Sequence, residues 1–117
     1  MVYVIKDTQD FNNKMNDFGS KLIVIDIYAN WCIPCKQIAP LFEKLNDLYK
    51  DEVVLFKIDA DDNNCQEICQ TFEIESIPTF LFFNNYKYMI NYRINSASID
   101  HVIDNINQIL EANNQNK

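Results

Sequence analysis

The stretch VIDIYANWCIPCKQIAP, residues 24–40, decides how the rest of the chain is read. It begins as a strand and ends as a helix, with two cysteines at the change. The run Leu22–Ala29 is almost entirely apolar and β-branched, the pattern of a central strand covered on both faces. Only Asp26 interrupts it. The CxxC pair Cys32 and Cys35 then opens a helix reaching about Tyr49, with Pro34 suited to its start and Pro40 predicting a kink. This order places Cys32 at a helix N-terminus, where unpaired N–H groups and the dipole favour a thiolate. Cys35 sits one turn inside, shielded and within reach for a disulfide.

Such a pair can bind metal, close a structural disulfide or exchange electrons. A structural zinc needs four ligands at suitable spacings. The single histidine, His101, falls on the polar side of the last helix, and Cys65 and Cys69 are spaced C-x₃-C within a helix, which is not the usual zinc knuckle. No metal site is therefore expected, and the redox use fits the local chemistry better.

The rest of the chain sets bounds. Its 117 residues make one domain, 1–112, with a polar tail at 113–117. The net charge of −7 argues against non-specific binding to nucleic acid or an anionic membrane. No apolar run is long enough to span a bilayer. The N-terminal residues show no signal-peptide or transit-peptide pattern, so a cytoplasmic location is expected; the chain is also expected to be a monomer.

Val2–Ile5 reads as a first strand. Thr8 is expected to cap a helix with Phe11, Met15 and Phe18 on its apolar face, ended by a left-handed Gly19. In the helix after the CxxC pair, Ile38, Leu41, Leu45 and Leu48 form one side. A strand follows from Glu52, then a short helix over about 64–72 whose face carries Cys65, Ile68, Cys69 and Phe72. Two strands, 79–83 and 87–94, meet at a tight Asn84-Asn85 turn, and the aromatics Phe82, Phe83, Tyr86, Tyr88 and Tyr92 there read as sheet packing. The final helix carries Ile99, Val102, Ile103, Ile106, Ile109 and Leu110. The order β-α-β-α-β-α-β-β-α predicts an α/β fold, a mixed central sheet with helices on both faces.

The stretch quoted above, together with IPTFLFF at residues 77–83, resembles the thioredoxin family over nearly the whole chain, from Val2 to about Leu110. The resemblance implies a thioredoxin fold of about five strands and four helices. It implies a thiol-disulfide oxidoreductase that reduces protein disulfides with no cofactor of its own. Cys32 then matches the attacking cysteine, Cys35 the resolving one, and Asp26 the buried carboxylate that exchanges a proton with Cys35. Trp31 matches the flanking aromatic and Pro78, after Ile77, the cis-proline beside the disulfide. The groove of Trp31, Ile33, Pro34, Ile77 and Pro78 would hold an extended substrate. The partners implied are peroxiredoxins and ribonucleotide reductase as substrates, and a thioredoxin reductase using NADPH and FAD as donor.

Two positions depart from the family. Ile33 stands where a Gly is usual, enlarging the apolar surface around Cys32. Arg93 stands where a Gly commonly lines the groove beside Pro78, and is expected either to narrow that groove or to lower the thiolate pKa. Both departures predict an altered partner range. Rival readings are a more oxidising protein, resembling a protein disulfide isomerase domain, and a non-catalytic adaptor. Cys65 and Cys69 read as core residues rather than regulatory thiols.

Overall fold

The computed structural model describes residues 2–115. Its sheet contains β1 (Val2–Val4), β2 (Leu22–Tyr28), β3 (Val53–Asp59), β4 (Thr79–Asn84) and β5 (Lys87–Tyr88), in the order β1-β3-β2-β4-β5. β3 pairs parallel with β1 and β2, while β4 runs antiparallel to β2 and β5. The helices are α1 (Thr8–Phe18), α2 (Ile33–Tyr49), α3 (Gln66–Thr71) and α4 (Ile99–Gln115). Short 3₁₀ turns precede β3 and α3.

The period-two alternation of a strand sorts the core into two layers. Leu22 and Val24 of β2 pack with Phe42 of α2 and Val102 and Ile106 of α4. Ile23, Ile25 and Ile27 pack with Phe11 of α1 and Ile68 of α3. Asp26 shares the parity of Leu22 and Val24, so it is aimed at the α2 side, 1% exposed. That placement brings a carboxyl beneath the CxxC helix.

Several expectations need correction. Asp7, not Thr8, caps α1: its Oδ1 accepts from Asp10 N at 2.7 Å. Gly19 has φ −63°, an ordinary helical value. It is glycine because the chain is crowded there, since a Cβ would collide with the Tyr86 ring and the Met15 carbonyl. In the β4–β5 turn the two central residues, Asn85 and Tyr86, are both left-handed, one position later than expected. The buried side of α2 is Ile38, Phe42, Leu45 and Tyr49, whereas Leu41 and Leu48 are exposed. Both sets satisfy helical spacing, and the one with the larger aromatic area is buried.

The expected strand over 87–94 stops at Tyr88, and residues 90–92 form a 3₁₀ turn. The chain leaves the sheet because Met89 and Tyr92 pack onto the α2–α4 layer, and buried Asn105 of α4 donates to Tyr92 O at 2.7 Å. It returns at Ile94, which bridges Phe80 through two hydrogen bonds. Where a tail was expected from 113, α4 continues to Gln115, and Asn113 exchanges two amide hydrogen bonds with Asn84, at 2.9 and 3.0 Å. Residues 116 and 117 lie outside the described residues.

Candidate functional site

β2 ends at Tyr28, and four residues later the chain enters α2. Cys32 is the N-cap residue itself: its backbone is extended (φ −82°, ψ 109°), and its Sγ takes the amide hydrogen bond of Cys35 at 3.2 Å. A sulfur thus stands in for the oxygen of an ordinary cap, at the positive end of a 17-residue helix. Cys32 and Cys35 are joined in a disulfide with Cα atoms 5.2 Å apart, and each is 3% exposed.

The two neighbours of Cys32 are open to solvent. Trp31 is 67% exposed and Ile33 66%. The Trp31 ring is held in place by its Nε1, which donates to Asp61 Oδ2 at 2.7 Å. On the other side of the disulfide, the Ile77–Pro78 peptide is cis, and Ile77 O lies 4.0 Å from Cys32 Sγ. Pro78 is buried, Ile77 half-buried and Pro34 exposed. Between these walls runs a cleft of about 600 Å³ bounded by Trp31, Cys32, Ile33, Pro34, Ile74 and Ile77. Asp61 and Glu75 add carboxylates to its lining, and Cys69 closes part of it. Sequence reasoning did not find Asp61, Ile74, Glu75 or Ser76 as cleft residues, because their place depends on how the chain returns after β3 and α3.

Behind the disulfide lies a second, smaller cavity of about 140 Å³, shared by Asp26, Cys35 and Lys57. Neither Asp26 oxygen has a hydrogen-bond partner among the described residues. Burial pushes this carboxyl up from 3.8 to about 7, against the pull of the nearby Lys57 cation. Lys57 is the cross-strand partner of Asp26 in β3. Its Nζ sits 4.9 Å from the Tyr28 ring centroid and 3.9 Å from Glu43 Oε1. Sequence reasoning missed Lys57, although it interrupts the run VVLFKID as Asp26 interrupts LIVIDIYA.

Arg93 is placed differently from the expectation. It is not among the residues lining the cleft, and its guanidinium turns to the carbonyls of Phe72 and Glu73 and to Asn95 Oδ1. Those carbonyls lie just past the end of α3, where no further helical turn supplies an N–H to bond them. Cys65 and Cys69 are free thiols in the α1–α3 core layer. Cys65 Sγ donates toward Ile5 O at 3.7 Å, and burial pushes its thiol up to about 11; Cys69 is shifted up by the same cause. Among the described residues no group of three or more His, Cys, Asp or Glu side chains could hold a metal ion. No helix among them is long and apolar enough to cross a membrane.

The comparisons with known proteins agree with this geometry. The thioredoxin family model matches residues 2–108. Thioredoxin of Geodia cydonium is 37% identical over 92 residues, covering 79% of this chain and 84% of that protein. Thioredoxin domain-containing protein 2 of Mus musculus is 39% identical over 85 residues, 73% of this chain, which spans only 16% of that relative's length. The crystal structure of reduced Schistosoma mansoni thioredoxin superposes with a TM-score of 0.83 at 32% identity, covering 92% of this chain and 96% of that one. A dithiol pair at a helix N-terminus, beside a cis-proline, on this sheet order, has one consistent meaning: the chain belongs to the thioredoxin family of thiol-disulfide oxidoreductases.

Proposed function

We propose that the chain reduces disulfides in other proteins, working as a monomer in the cytoplasm. The observation that carries this reading is the position of Cys32 Sγ, at a helix N-terminus and 4.0 Å from the Ile77 carbonyl at the foot of an open cleft. An extended segment laid across Trp31, Ile33, Pro34 and Ile77, beside Pro78, brings its disulfide to that sulfur. The Cys32 thiolate attacks one target sulfur, forming a mixed disulfide, and the other target sulfur leaves as a thiolate that takes a proton. Cys35 then attacks Cys32 Sγ. The target's second sulfur departs as a thiol, and the Cys32–Cys35 disulfide remains.

Cys35 must lose its proton for the second step. Asp26 is the base, across a cavity large enough for water to relay the proton. A carboxyl with a pKa of about 7 suits that work, being able to take and return a proton near neutral pH. Two electrons and two protons must then restore the dithiol. The donor in this reading is a partner flavoprotein of thioredoxin reductase type, carrying FAD and oxidising NADPH. Peroxiredoxins and ribonucleotide reductase are the substrates the family membership suggests. Two unpaired core thiols, Cys65 and Cys69, suit a reducing compartment.

The test is the reduction potential of the Cys32–Cys35 pair, with capture of partners by a Cys35→Ser variant. A potential near about −270 mV, with covalent Cys32-linked proteins trapped from extract, is expected. A potential near about −180 mV would make the protein an oxidant or isomerase instead. A Cys35→Ser variant that trapped nothing would point to an adaptor.

A further inference from the structure

We propose that Arg93 is a positioning residue that fixes one wall of the substrate cleft, so that the affinity for protein disulfides depends on a side chain that never touches them. The inference rests on the reading of the protein as a protein-disulfide reductase.

The wall is the segment 72–77, between the end of α3 and the cis peptide. It carries Ile74, Glu75, Ser76 and Ile77 into the cleft lining. Its start is closed by a Schellman-type turn, with Glu73 N donating to Gln70 O at 3.1 Å and Ile74 N to Cys69 O at 2.9 Å, but no helix or strand carries the chain from Thr71 to Thr79. Glu73 is the left-handed residue of that turn, at φ +51°, in a place that glycine takes more often.

Arg93 braces that turn from outside the helix. Its Nη1 donates to Phe72 O and its Nη2 donates to Glu73 O at 2.9 Å, so one planar guanidinium spans the two carbonyls around the left-handed residue. Its Nε donates to Asn95 Oδ1 at 3.1 Å. The same oxygen lies 3.4 Å from Thr79 Oγ1, which donates to Ser76 O at 2.6 Å. One end of the wall is thus tied to Arg93 and the other to Thr79 at the start of β4, and Ile94 fastens the strip 93–95 to β4 through Phe80.

The chemistry suits arginine and not lysine. Two carbonyls and an amide oxygen in fixed directions match a rigid fork of donors, whereas one ammonium on a flexible stem satisfies fewer of them in that geometry. Hydrogen bonds to a charged donor are the stronger kind, and the group is half-buried. Without them the wall keeps its covalent path but samples other positions. A protein substrate must then order it on binding, which weakens binding without altering the sulfur chemistry.

The test compares wild type, Arg93→Ala and Arg93→Lys on a folded protein disulfide and on a small symmetric aromatic disulfide that needs no wall. Arg93→Ala is expected to raise KM for the protein substrate about tenfold, the loss of roughly one charge-assisted hydrogen bond, with kcat within about twofold. The small disulfide should react at close to the wild-type rate, and the reduction potential should not move. Arg93→Lys should fall between the two, and faster amide exchange at residues 74–76 should accompany the rise in KM. An Arg93→Ala protein that unfolds more easily but keeps the wild-type KM overturns the inference. So does an altered potential or thiolate pKa, which would mean that Arg93 acts on Cys32. Should the alanine variant not fold, Asn95→Ala, which removes the acceptor that orients Arg93 Nε, is expected to raise KM in the same direction. Wild type that fails to reduce the protein disulfide at all refutes the functional reading rather than this one.

Discussion

Asp26 and Lys57 are direct cross-strand partners in β2 and β3, yet the Asp26 carboxyl takes no hydrogen bond from Lys57 or from any other described residue. Burial therefore outweighs the cation, and the carboxyl is pushed up from 3.8 to about 7. Its effect on stability has a definite sign. Below about pH 4 the group is protonated in both folded and unfolded chains and contributes no pH dependence. Between about pH 4 and 7 the unfolded chain releases the proton while the folded chain keeps it, so stability falls as pH rises. Above the folded pKa the loss is complete, about 4 kcal/mol at most for three units. Asp26→Asn, neutral throughout, should gain on wild type steadily between pH 4 and 7.5 in denaturant titrations. Parallel curves for the two proteins would show that the carboxyl is not held protonated.

The same variant bears on the reaction. If Asp26 takes the Cys35 proton, Asp26→Asn should slow resolution of a preformed mixed disulfide on Cys32 about 10-fold or more above pH 7, a typical general-base effect. Formation of the mixed disulfide should change little, because Cys32 owes its thiolate to the helix N-terminus. Single-turnover measurements separate the two steps. Equal slowing of both would assign Asp26 a purely structural effect on the pair.

Much of this site could be read in the sequence because its chemistry is local. Cys32, Cys35 and Asp26 lie within ten residues on one strand-to-helix crossing, and strand parity alone decides that Asp26 faces α2. The side of α2 could not be decided that way, since 38-41-45-48 and 38-42-45-49 are equally helical and only packing against Phe80 selects Phe42. Arg93 was legible as a departure but not in its role, because its acceptors lie 20 and 21 residues earlier in the chain. The crowding at Gly19 escapes sequence reading for a similar reason: its glycine answers to Tyr86 in the β4–β5 turn, a contact 67 residues away in the chain that no local turn rule contains.

That contact makes its own prediction. At φ −63° an alanine at position 19 costs no backbone strain and would ordinarily stabilise slightly by restricting the unfolded chain. Here its Cβ must displace the Tyr86 ring and the Met15 carbonyl. Gly19→Ala is therefore expected to destabilise by about 1–3 kcal/mol, the usual range for overpacking. Tyr86→Ala in the same chain should recover part of the loss. Stabilisation by Gly19→Ala alone would refute the crowding argument.

The reciprocal amide pair of Asn84 and Asn113 ties the last turns of α4 to the end of β4. Each side chain is half-buried, and removing one strands the other's donor and acceptor. Asn84→Ala and Asn113→Ala should each cost about 1 kcal/mol, and the double variant hardly more than either one, because the interaction is lost once. Simple additivity would mean that the two amides act independently, and that the end of α4 is held by something else.

Reactivity should separate the four cysteines. After reduction, Cys32 stands at a helix N-terminus and Cys35 one turn inside, while Cys65 and Cys69 remain in the α1–α3 layer with their thiols shifted up by burial. The thiolate is the reacting form, and at neutral pH a thiol at about 11 is ionised only to roughly one part in ten thousand. Brief alkylation of the reduced, folded protein at pH 7 should therefore label Cys32 alone, with Cys65 and Cys69 labelled only in denaturant. Rapid labelling of Cys69 would show that the cleft, which it helps to line, opens far enough to expose its sulfur. That result would return the extra thiols to consideration as regulatory groups.

Ile33 closes the argument about substrate range. It is 66% exposed beside Cys32, so Ile33→Gly removes almost no core contact and leaves the sulfur geometry to the cap. The variant does remove apolar surface at the mouth of the cleft, worth about 25 cal/mol per Å² to any partner that covers it. Protein substrates that lie over Ile33 should lose about three- to tenfold in kcat/KM on the same area reasoning, while a small disulfide is unaffected. Stability should change by no more than about 1 kcal/mol, the cost of a glycine early in a helix. If Ile33→Gly shifts the reduction potential instead, and rates on all disulfides move together, the side chain tunes the thiolate rather than the surface.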